Sequence, residues 1–139
     1  MMRAQMSGDE LIAALEECRL APADFDHRTH VQAGFAYLQR HGYAGALGAM
    51  SRALRRFAAH HGKDGLYHET VTVAFLALIH ERMAEDLIAQ GGRDPMALDW
   101  PGFAARHPDL FGRELLARYY NREILATDLA KRCFVLPRM

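Results

Sequence analysis

The feature that most limits what this chain can become is the long apolar stretch between His68 and Gln90. Val71, Val73, Phe75, Leu76, Leu78, Ile79, Met83 and Leu87 run through it, and Gly91-Gly92 closes it. Its β-branched start, Val71-Thr72-Val73, would suit a strand. The pattern continues for about twenty residues, however, which is too long for an ordinary strand. A helix that is apolar around most of its circumference belongs at the centre of a helical protein.

The rest of the chain carries the period of amphipathic helices. Leu11, Ile12, Leu15 and Cys18 share one face of a first helix that begins at Ser7 or Asp9 and is ended by Pro22. Asp26 is the expected N-cap of a second helix reaching His41, with Val31, Phe35 and Leu38 facing inward and Gly42 as its stop. A third helix, about 43–61, presents Leu47, Met50, Leu54, Phe57 and Ala58 to the core. Arg52, Arg55 and Arg56 read as its solvated face; Gly45 and Gly48 weaken its first turns and permit close packing. Gly62-Lys63-Asp64-Gly65 is a loop. Beyond Gly92 the pattern breaks up. Asp94-Pro95 and Asp99-Trp100-Pro101 read as capped helix starts, followed by short helices near 101–107, 111–120 and 123–132 and a tail. The expected fold is all-α: one helical domain over residues 1–139, a bundle of four longer helices plus short C-terminal helices, with 1–8 as a flexible extension.

Composition narrows the function. Lys plus Arg and Asp plus Glu both number 17, so the formal net charge is zero. A neutral chain is poorly suited to coating nucleic acid or an anionic membrane. Apolar runs fall short of the roughly 18 residues needed to span a bilayer. The start, Met1 to Met6, lacks the apolar core of a signal peptide, so a cytoplasmic location is expected. The only cysteines, Cys18 and Cys133, form neither a disulfide framework nor a zinc knuckle and are expected to be buried free thiols.

Histidine is the unusual residue: eight, at positions 27, 30, 41, 60, 61, 68, 80 and 107. His27 and His30 lie one turn apart at the start of the second helix, on one face. His68 and Glu69 open the fourth, after Tyr67. In an antiparallel bundle these two helices run the same way, so their starts meet at one end. His27, His30, His68 and Glu69 are therefore the candidate ligands of a divalent zinc, iron, manganese or nickel ion. His68 and Glu69 are the catalytic candidates, with Glu69 a fourth ligand or a general base toward bound water. Tyr67 would stand at the mouth, Thr72 could orient an imidazole or bond back to its own helix, and Arg28 could attract an anionic substrate group. Three readings of the same residues stay open: a metal site, a metal-free polar site, and a purely structural role. His80-Glu81 fails the zinc-protease motif because position 84 is Ala, and His80 reads as a core or groove histidine.

Three stretches carry a resemblance. They are Phe25-Asp26-His27-Arg28-Thr29-His30-Val31, Leu54-Arg55-Arg56-Phe57 with His61-Gly62, and Tyr67-His68-Glu69-Thr70-Val71-Thr72. Tyr119-Tyr120-Asn121-Arg122-Glu123 and Ala130 to Val135 add to it. Over residues 23–136 the chain resembles an uncharacterised family of small bacterial helical proteins with paired FxHRxH and YHET motifs. The resemblance implies that the two motifs work together; it carries no activity. Leu136-Pro137-Arg138 departs from the proline-and-acid ending of such sequences.

The leading expectation is a small helical protein that binds or acts on a small molecule at a His/Glu site. The competing one is a non-enzymatic binding or interaction protein with structural histidines. It would be a homodimer through an apolar surface of Phe103, Phe111, Tyr119, Tyr120 and Phe134. Nucleic-acid binding would require the third-helix arginines to join Lys131-Arg132 in one basic face.

Overall fold

A computed structural model describes residues 6–137. Among them every regular element is helical. The main helices are α1 (Gly8–Glu16), α2 (His27–His60) and α3 (Glu69–Gln90), followed by the short α4 (Trp100–Arg106), α5 (Arg122–Leu125) and α6 (Asp128–Arg132).

Local chemistry explains where they begin. Ser7 and Glu10 form a reciprocal capping box at α1, and Asp26 accepts from the Thr29 N–H at α2. Asp94 and Asp99 cap a 3₁₀ turn (Pro95–Ala97) and α4, each followed closely by proline. Residues 1–5 of the expected extension lie outside the described residues, whereas Ser7 and Gly8 already belong to the start of α1.

Helix ends are also chemically specified. Gly91, at φ 72°, ends α3 with the Gly92 N–H returning to the Leu87 carbonyl. α1 stops the same way, well before Pro22: Cys18 adopts φ 56°, and the Arg19 N–H donates to the Ala14 carbonyl at 2.8 Å. The Pro22 boundary expected from the sequence was too late because a cysteine took the left-handed position that usually advertises itself as glycine.

α2 is two helices joined at a kink. Gly42 sits at φ 71°, ψ 178°, a region only glycine enters readily. The chain reverses there. Gly34 faces Met50, and Val31 lines the same cavity as Met50 and Leu54. The halves 27–41 and 43–60 therefore form a helical hairpin, which is the expected second and third helix with the expected stop. α3 returns parallel to the first half, its Leu76 and Ile79 packed onto Gly34. A Cβ at position 34 would sit 2.9 Å from the Ile79 Cδ1 and 3.3 Å from the Leu76 Cδ1, so a larger residue would force these side-chain tips to shift.

The C-terminal third wraps this core. Phe103 stacks on Phe35 with ring centroids 4.8 Å apart. Phe103 is 0% and Tyr120 2% exposed, so they cannot contribute to the aromatic surface expected from the sequence; Tyr119 and Phe134 remain exposed. The helix expected over 111–120 is instead 3₁₀ turns, Pro108–Phe111 and Arg113–Arg118. The last helix is split, with Thr127 capping α6. The thiols are not buried as expected: both are free, Cys18 half-buried and Cys133 exposed. His80, expected in the core or a groove, is exposed and stacks on Tyr43 at 4.8 Å. No helix of the described residues is long and apolar enough to cross a membrane.

Candidate functional site

The Gly42 reversal and the loop after His60 make α3 parallel to the first half of α2, so the two helix starts lie side by side. His27 and Phe75 stack edge to face at 4.8 Å. Between the helices lies an inner cavity of about 60 Å³, walled by His27, His30, Thr72 and apolar side chains including Val31, Met50, Phe75 and Ile79. An open groove of about 270 Å³ adjoins it, bordered by Phe25, Phe57, His61, Tyr67 and His68. Cavity and groove share His30, Leu54, Val71 and Thr72. These four form the threshold between solvent and interior.

The predicted residues meet at this end, but in separate bonding sets. The Nε2 of His68 lies 2.7 Å from the Leu125 carbonyl, and its Nδ1 accepts from the Val71 N–H at 3.2 Å. A carbonyl only accepts, so Nε2 carries the proton and both ring nitrogens are engaged. The ring is at once the N-cap of α3 and a clasp on the C-terminal segment. His27 Nε2 likewise donates to the Leu110 carbonyl at 2.9 Å. His30 lies under the edge of Phe25, centroids 4.4 Å apart, with its Nε2 buried at the threshold.

Glu69 turns away from the cavity. Its carboxylate receives the Tyr67 hydroxyl at 2.6 Å and an Arg55 N–H at 3.4 Å. Tyr67 also shares a hydrogen bond with Ser51 at 2.9 Å, and the Arg55 guanidinium lies 4.7 Å above its ring. Burial, then the bond to Glu69, raises the Tyr67 pKa above the ordinary phenol value. The proton stays on Tyr67, which borders the groove. Thr72 donates back to the His68 carbonyl at 2.9 Å, leaving its oxygen able to accept at the threshold. Arg28 is outside both spaces: its guanidinium lies 4.5 Å over Phe111 and 5.9 Å over Trp100. Among the described residues there is no group of three or more His, Cys, Asp or Glu arranged to hold a metal ion.

Arg55 was missed in the sequence because it read as part of a solvated helix face, and Ser51 because it belongs to no recognisable motif. Their four-residue spacing, one face of one helix, was the available signal. Leu54 lies between them on the inward side, which is why it reaches the threshold.

Comparison with protein-family models, curated proteins and solved structures gives no match. The functional reading therefore rests on the site alone.

Proposed function

We propose that this protein binds a small, mainly apolar molecule bearing one hydrogen-bonding group. The observation that carries the reading is the shared threshold: an apolar interior space opens onto a groove through His30, Leu54, Val71 and Thr72. Mostly apolar walls with a few convergent polar atoms are the usual make-up of a small-molecule site. A space of about 60 Å³ takes a short branched hydrocarbon arm, not a whole ring system. The remainder of the ligand would lie in the groove, its polar group near His30 and Thr72. Binding is favoured over catalysis because His27, His68, Thr72 and Glu69 already spend hydrogen bonds on the fold or on each other.

The test is an amide NMR titration with isobutanol and isovaleramide. Shifts concentrated at residues 30, 54, 71 and 72, and lost in a correctly folded Val71→Phe variant that fills the threshold, are expected. Probes that leave those amides unmoved, or bind Val71→Phe equally well, would refute the reading.

A second reading keeps a divalent metal, supported by His27 and His30 lining one cavity wall. The protein would supply two imidazoles, and the ligand or water the remaining positions. Near-stoichiometric metal in the purified protein, lost in His27→Ala/His30→Ala, is the expected result on this reading. Metal content unchanged by that double substitution removes it.

A further inference from the structure

The Gly42 hairpin also creates a groove on its opposite face, against α1. Arg40 and His41 come from one arm and Arg52 and Arg56 from the other, bordering a space of about 400 Å³. In a chain with zero formal net charge, three exposed guanidinium groups bordering one groove concentrate positive charge locally. Two nearby carboxylates, Glu16 and Asp9, offset this charge in part. Glu16 lines the groove, but one of its oxygens accepts the Tyr37 hydroxyl at 2.8 Å. Tyr37 is wholly buried, and its pKa is raised by burial first and by Glu16 second, so the phenol keeps its proton and its hold on Glu16. Asp9 pairs with Arg40 from an exposed position where solvent weakens the pairing. Arg56 reaches only the Glu16 carbonyl, at 3.4 Å.

Arg52 is the informative member. It makes no hydrogen bond or ion pair to other described residues, and its guanidinium lies back along its own helix over Gly48. A Cβ at 48 would stand 3.0 Å from its Nη1. Arg52 and Arg56 are four residues apart on one helix face, a spacing at which like charges repel. The fold thus gathers positive charge here, leaves one fork of donors unspent, and uses a glycine as its bed.

We propose that this groove binds a phosphate group, either free phosphate, a small phosphate ester or a phospholipid headgroup. Guanidinium groups match phosphate oxygens bidentately, and a site with three of them suits a dianion better than chloride. The space is larger than phosphate alone and leaves room for an attached organic part over Ile12, Ala49 and Ala53.

Inorganic phosphate should raise the melting temperature saturably, above sodium chloride at matched ionic strength, and shift amides at 40–41 and 48–56. Arg52→Gln, which breaks no bond of the fold, should weaken phosphate binding at least tenfold. Lys131→Gln, a basic residue elsewhere on the surface, should leave it unchanged. Vesicles of phosphatidic acid in phosphatidylcholine separate the sources: capture by them supports a lipid headgroup, and phosphate binding without capture supports a soluble phosphate. Phosphate behaving as chloride does, or equal phosphate affinity in Arg52→Gln and the parent protein, would overturn the proposal.

Discussion

The two ends of α3 hold the C-terminal third of the chain by opposite chemistry. At its start the clasps are neutral and directed at backbone. His68 donates to the Leu125 carbonyl, and the single proton of the fully buried Thr70 hydroxyl is shared between the Ala130 and Cys133 carbonyls at 2.7 and 2.9 Å. The same oxygen accepts the Val135 N–H at 3.1 Å. Farther along α3 the clasps are charged and directed at side chains. Arg82 makes a two-pronged pair with Asp109, both bonds 2.8 Å, and Asp86 takes Arg106 at 2.9 Å and His107 at 3.0 Å. The first kind depends on shape and desolvation, the second on charge. They should therefore fail under different conditions, although they anchor one continuous segment.

Thr70→Val should be the most damaging change. It keeps the shape but leaves two carbonyls and one N–H without their partner in a dry place, a cost of about 3 kcal/mol. Urea unfolding measures it, and a loss below about 1 kcal/mol would show that the neutral clasp is not an anchor. Asp86→Ala should cost about 2 kcal/mol, below the range for a fully buried pair because Arg106 can turn to water. That penalty should shrink in 1 M salt while the Thr70→Val penalty stays; equal salt response in the two variants would erase the distinction. His68→Ala should cost about 1 kcal/mol through loss of a cap and one carbonyl bond, and should loosen hydrogen exchange near residues 125–130.

The mildest effect comes from acid. The Arg82 pair holds the Asp109 carboxyl at about 2, below its ordinary 3.8. The folded state therefore binds this proton less readily than the unfolded chain. The contribution is complete above about pH 4 and is lost as pH falls toward 2. Arg82→Gln should flatten the part of the acid-unfolding profile between those values. A Thr70→Val profile should keep the parent's shape at lower overall stability. Partial exposure of Asp109 keeps the effect small.

Much of the fold was legible because it is local. Ser7, Asp26, Asp94 and Asp99 announce helix starts through a side chain that bonds within three residues. Gly42 and Gly91 announce ends through a backbone only glycine tolerates easily. The meeting of the α2 and α3 starts followed from helix order alone. What could not be read is where the histidine nitrogens go. The partners of His27 and His68 are carbonyls of Leu110 and Leu125, and a carbonyl is common to every residue type, so no pattern in the sequence marks it. The same limit hid the arginine groove: Arg52 and Arg56 are the exposed face the sequence suggested, and only the hairpin brings Arg40 and His41 beside them.

That hairpin has a kinetic consequence. Because one glycine turns the chain, the two arms of α2 meet through contacts close together in sequence, and closing so short a loop costs little chain entropy. The pair can consolidate while the last third of the chain is still searching, and then serve as the template on which the later turns settle. Replacing Gly42 would thus slow the earliest assembly step as well as weaken the finished molecule.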